Sequence, residues 1–186
     1  MSGSIRQEGN QAGGNIAGRD NIIIEAPSRP ENALARLFKR LKEEVADDQS
    51  LTEYIRELQI FTRHVEEEKI IGLEGKLKVA GRDDQLDMAM AMKEMVFSQL
   101  RDNIFSPTFQ QIYATLLGKV FEEFETWVKP AIMAGKSRQE IDEIVNLKII
   151  HPIMGEIESF GDYGGVTTQT LRGMIYFLTG NCHIRW

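Results

Sequence analysis

Cys182 and His183 stand side by side, and a cysteine with a histidine is the pairing from which a thiolate nucleophile is made. Neighbours in an extended segment project to opposite sides, so His183 is badly placed to take the Cys182 proton. The other histidines, His64 and His151, have no histidine or cysteine four residues away, whereas a zinc site takes three or four ligands at recognisable spacing. Carboxylates come in runs, Glu66-Glu67-Glu68, Asp83-Asp84 and Glu122-Glu123 with Glu125. Such runs read as solvated helix faces. There is no GxxxxGK[ST] phosphate loop, no GxSxG elbow, no HExxH and no paired-cysteine pattern. The residue types point to no enzyme, no metal and no cofactor, and leave Cys182 as a small buried hydrophobe with Ile184 and Trp186 as anchors of the C-terminal segment.

Binding residues are easier to find. Arg36, Lys39, Arg40 and Lys42 form a basic cluster on the first predicted helix, which supports a nucleic-acid-associated regulator as the alternative function. Glu43, Glu44, Asp47 and Asp48 follow at once and neutralise the stripe. Met88, Met90, Met92 and Met95 are half of the eight methionines, and methionine suits an adaptable partner surface as well as a core. Alternation at 88, 90 and 92 cannot place all three on one helix face. Met88, Met92 and Met95 are the candidate partner surface.

Residues 1–27 have a different texture from the rest. Gly3, Gly9, Gly13, Gly14 and Gly18 are five of the sixteen glycines. Asn10, Asn15 and Asp20 open successive blocks of five, with Gly13 and Gly18 at equivalent places. Asn and Gly tolerate positive φ, and Ile22, Ile23 and Ile24 are strand-prone, so the arm reads as short extended pieces joined by tight turns. It has few apolar groups to offset the entropy of ordering, and repeats of this kind need stacking neighbours. A homo-oligomer assembled through Asn10, Asn15, Gly18, Arg19, Asp20 and Ile22 to Ile24 follows as the expectation.

Positioning these residues falls to helices. Ser28 with Glu31 and Ser50 with Glu53 have capping-box spacing ahead of Leu34, Leu37, Phe38 and of Tyr54, Ile55, Leu58. A short helix spans 70–80, with Leu73 and Leu77 together. Asp83 or Asp84 should cap the next, through about Arg101. Ser106-Pro107 opens the longest, whose stripe runs from Phe109 and Ile112 to Phe124 and Trp127; Pro130 should end or kink it. Ser137 with Glu140 starts another, which His151-Pro152 should interrupt. Thr167 or Thr168 starts the last, Gly180 should stop it, and residues 181–186 read as a strand-like alternation. The expected fold is an all-α bundle of about six to eight helices (residues 28–186) with a β-like arm in front (residues 1–27) and an extended C-terminal segment.

Composition sets the bounds. The chain has 186 residues, 42% hydrophobic and 27% charged, and a net charge of −6, which suits a soluble single-core protein and opposes non-specific nucleic-acid binding. One cysteine fits a reducing cytoplasm, no apolar run reaches membrane-span length, and Met1 to Arg6 lack a signal peptide's apolar stretch.

Three phrases carry a family likeness: Asn15-Ile-Ala-Gly-Arg-Asp20, Gly72-Leu-Glu-Gly-Lys-Leu77 with the following Gly81-Arg82, and Leu178-Thr-Gly-Asn-Cys-His-Ile-Arg-Trp186. The chain resembles the small accessory proteins of bacterial ABC-three-component systems over most of residues 50–186. The resemblance implies a helical C-terminal domain, an assembly or sensing role in antiphage defence, and a larger effector or ABC-type ATPase encoded nearby as partner. It implies no active-site residues.

Overall fold

A computed structural model describes residues 33–34, 36–40, 56–63, 72–159 and 165–186 of the chain. These residues are helical, joined by short turns, with no strand among them. The repeat arm, the caps at Ser28 and Ser50, and Lys42 lie outside the described residues.

Residues 36–40 are helical and bury Phe38, with Leu34 just ahead, in the main core. The helices that follow are α1 (Arg56–Thr62), α2 (Gly72–Val79), α3 (Leu86–Asp102), α4 (Pro107–Glu123), α5 (Lys129–Met133), α6 (Arg138–Val145), α7 (His151–Glu158) and α8 (Thr168–Gly180). α3 and α8 lie closest together: a Cβ on Gly173 of α8 would stand 2.6 Å from the Met92 carbonyl oxygen of α3. α4 carries a broad buried face that includes Phe109, Ile112, Tyr113, Leu116, Leu117 and Val120. A smaller cluster of Leu73, Leu77, Ala89 and Tyr176 fills the space between α2, α3 and α8. Trp186 packs against both clusters.

The caps follow local chemistry. Ser106 accepts from the Phe109 amide ahead of Pro107, Ser137 and Glu140 form a complete capping box, and Thr167 pairs with Thr170 in another. Asp83 and Asp84 instead sit in a 3₁₀ turn (Asp83–Gln85), and α3 starts after Gln85 with no side-chain cap. The Asp84 carboxylate takes a two-pronged bond from Arg138 instead of capping α3.

Neither interior proline breaks its helix. α4 runs through a π-helical turn (Phe124–Val128) into α5, and α6 through another (Asn146–Ile150) into α7. Each turn closes two residues before the proline, at Pro130 and Pro152. Lys129 donates to the Phe124 carbonyl and His151 to that of Asn146, five residues back. The extra residue widens the coil where a proline ring would otherwise strike the preceding turn. It also moves Trp127 out of the buried stripe: the indole is half-exposed, bonded to Glu123 and covered by Lys148 Nζ at 4.6 Å.

Three helices end in the same closure. In each, an amide bonds three residues back and the next amide five back, around a left-handed residue. After α2 the left-handed residue is Gly81 (φ 64°), with Gly81 and Arg82 bonding Lys78 and Leu77. After α5 it is Gly135 (φ 71°), with Gly135 and Lys136 bonding Ile132 and Ala131. After α8 it is Cys182 (φ 66°), with Cys182 and His183 bonding Thr179 and Leu178. Gly180, the expected stop, remains helical and gives room to the Lys93 side chain. A left-handed cysteine costs about 1 kcal/mol more than a glycine there. Its burial helps to hold it: residues 181–183 turn rather than run as a strand, and in the residues that follow Ile184 and Trp186 are docked while Arg185 is exposed, the alternation expected.

Candidate functional site

The end of α2 delivers Arg82 into the interior. The residue is 3% exposed, and its Nη1 donates to Asp142 Oδ1 at 2.6 Å and to Gln85 Oε1 at 3.4 Å. Its guanidinium carbon lies 4.2 Å from the Trp186 ring centre. Its Nη2 is buried with no hydrogen-bond partner among the described residues. An unpaired buried donor costs about 1–3 kcal/mol, so this arginine holds its place at some expense.

Trp186 is fastened from several sides. Its indole nitrogen donates to Thr179 Oγ1 at 3.2 Å, and its ring meets Phe124 edge-on at 5.4 Å and Tyr176 at 6.4 Å. Two residues earlier, the Ile184 carbonyl accepts from buried Lys76 at 3.2 Å. Asn181 donates to the Phe61 carbonyl at 3.1 Å, and the His183 ring lies edge-on to Phe61 at 5.9 Å. Cys182 and Ile184 are buried, Trp186 is half-buried, and Arg185 is exposed.

Arg82 and Trp186 form the wall between two recesses. The larger, about 270 Å³, is lined by Val79, Ile132 and Ile141 with Lys136 and Arg138. Its cations are already matched: Arg138 with Asp84 at 2.7 Å, Lys136 with Glu140 at 3.0 Å. The Arg138 guanidinium holds the Asp84 carboxyl below its ordinary range. The smaller recess, about 100 Å³, is lined by Gln85, Met88, Asp142, Val145, Arg172, Ile175 and Tyr176. Arg172 donates to Asn146 Oδ1 at 2.5 Å, and no carboxylate among the described residues is within ion-pair distance of it. Burial raises the Tyr176 hydroxyl above its ordinary pKa, against the pull of Arg82 and then Arg172. Asp142 is the one carboxylate lining it.

The candidate methionines do not share a face. α3 buries Ala89, Val96 and Leu100, so Met92 and Met95 flank that stripe and pack against the two core clusters. Met88 is 46% exposed at the smaller recess, and Met90 and Phe97 are about half-exposed elsewhere on α3. Arg36, Lys39 and Arg40 are exposed. Asn10, Asn15, Gly18, Arg19, Asp20 and Ile22 to Ile24 lie outside the described residues. Among the described residues no cluster of histidine, cysteine and carboxylates could hold a metal ion, and no helix is long and apolar enough to cross a membrane.

Arg82, Asp142, Arg172 and Tyr176 escaped the reading of the sequence as site residues. Gly81-Arg82 was visible as a phrase, but an arginine after a glycine and before two aspartates looks like a polar loop. Only the placement of Trp186, more than a hundred residues later, makes it interior.

The sequence model of C-terminal domain 9 of the ABC-three component systems matches residues 72–186, the span that holds both recesses. No curated protein and no solved structure matches the chain.

Proposed function

Because the chain belongs to the family of C-terminal domain 9 of the ABC-three component systems, we propose that it is a non-enzymatic assembly or sensor subunit of a bacterial defence system. Its helical domain docks partner proteins of that system, an ABC-type ATPase or larger effector among them, in the cytoplasm. Its arm, residues 1–27, joins it to further copies of itself. The family match over most of the helical domain carries this reading. The chemistry gathered at the recesses supports it: permanently charged arginines and aromatic rings recognise and orient partners, and guanidinium groups exchange no protons near neutral pH. Exposed Met88, Met90 and Phe97 on α3 supply apolar area of the kind that interfaces use.

The experiment is co-expression of the tagged full chain with the other components encoded at its own locus. The expected result is a stoichiometric complex that persists at raised salt. Recovery of the chain alone, or of a complex only through nucleic acid and abolished by nuclease, overturns the reading.

A further inference from the structure

We propose that the smaller recess, between α3, α6 and α8, is a carboxylate site that takes an acidic side chain of a partner protein; this rests on the docking reading above. Arg172 reaches the recess carrying a charge that no carboxylate among the described residues balances at ion-pair distance, its one hydrogen-bond partner being the neutral Asn146 amide. Tyr176 lines the same recess, and its hydroxyl makes no hydrogen bond among the described residues. Behind them Arg82 is fixed by Asp142, Gln85 and the Trp186 ring, with its Nη2 unpartnered among the described residues. Arg82 supplies field, because its Nη2 is sealed, while Arg172 and Tyr176 supply contacts.

Charge and shape select the ligand. Two arginines face one aspartate, which leaves a single positive charge to be met. A carboxylate brings one negative charge and two coplanar oxygens that match a guanidinium fork. A dianionic phosphate would overshoot and would face Asp142. In the neighbouring recess Arg138 and Lys136 are already paired, so a phosphate chain finds no second anchor. Val145 and Ile175, with Met88 exposed alongside, offer apolar contact to the short carbon stem of an aspartate or glutamate.

The test uses the full chain carrying Trp127→Phe, so that Trp186 is the only indole and reports on the recess. Propionate, a glutamate side-chain mimic, is titrated at constant ionic strength against Trp186 emission. A saturable change with a midpoint on the order of 10 mM is expected, as for one small charged contact. Arg172→Gln should move the midpoint at least about tenfold, and Arg101→Gln, on the exposed end of α3, should leave it alone. If Arg172→Gln loses its helical signal, Tyr176→Phe keeps the ring in the core and should weaken binding several-fold. No saturation, an unmoved midpoint in both recess variants, or inorganic phosphate binding as well as propionate overturns the site. A partner complex that survives Arg172→Gln while propionate binding is lost overturns the assignment to a partner's side chain. Failure of the unaltered chain to capture any partner counts against the docking reading, which the propionate result does not touch.

Discussion

The Arg82 guanidinium lies 4.2 Å from the centre of the Trp186 indole, so a ring more than a hundred residues away covers a buried charge. The same indole donates to Thr179 and meets Phe124 edge-on, which makes it a junction between the larger core and the recesses.

Trp186→Ala should therefore destabilise the fold by about 2–3 kcal/mol, less than a fully buried tryptophan because the ring is partly exposed. Trp186→Phe should keep much of the ring contact and lose the bond to Thr179, at about 1 kcal/mol. Urea midpoints with unchanged slopes would measure both. Equal midpoints for the alanine variant and the parent would mean that the C-terminal segment is not structural.

Gly173→Ala and Gly155→Ala should move stability in opposite directions. The new methyl at 173 would stand 2.6 Å from a backbone carbonyl and 2.8 Å from Val96 Cγ2, so α3 and α8 must part. A loss of about 2 kcal/mol or more is expected from overpacking. At 155 nothing lies within 4 Å and the site is helical, so alanine should add about 0.5–1 kcal/mol. Thermal melts of the pair share one background, and a gain at 173 would contradict the close approach.

Acid should loosen the start of α6. The Ser137 hydroxyl and amide, with Lys136, hold the Glu140 carboxyl down at about 2, against an ordinary 4.5. A carboxyl depressed by folding stabilises above its unfolded pKa and loses that contribution as pH falls through the folded value. The window is thus about pH 4.5 down to pH 2. Carboxyl-carbon NMR of Glu140 should show the low midpoint, and Ser137→Ala should return it toward 4.5. A midpoint near 4.5 in the parent would disprove the cap in solution.

Deletion of residues 1–25 should reduce the assembly mass seen by light scattering while the helical signal per remaining residue is kept. The arm's apolar groups are few and cannot form a core of their own. An unchanged mass would place self-association on the helices.

Charge reversal at Arg36, Lys39 and Arg40 should leave partner capture intact, since exposed charges contribute little individually. Duplex binding at physiological salt, lost in the triple variant, would favour a nucleic-acid role instead.

Much of the helical layout was readable from local chemistry. Ser106-Pro107, Ser137 with Glu140, and Thr167 announce helix starts because a cap is written within four residues. The π turns were not readable, since a hydrogen bond shifted by one residue leaves the apolar pattern almost unchanged. Pro130 and Pro152 therefore looked like ends. The cap at Asp83-Asp84 was misplaced because Arg138, over fifty residues away, competes for Asp84. The recess was hidden for the same reason, Arg82 after α2, Asp142 on α6 and Arg172 on α8 being brought together by the fold rather than by any spacing.

The shared closure that ends α2, α5 and α8 has a consequence for how the chain tolerates change. The residues leaving the closures after α2 and α5 are Arg82 and Lys136, so these two cations beside Trp186 are aimed by backbone geometry and only secondarily by their rotamers. Swapping one such side chain should be a local event. Inserting a single residue after Gly81 or Gly135 should scatter the cluster with every one of its members still present. Length, at those two points, should matter more than identity.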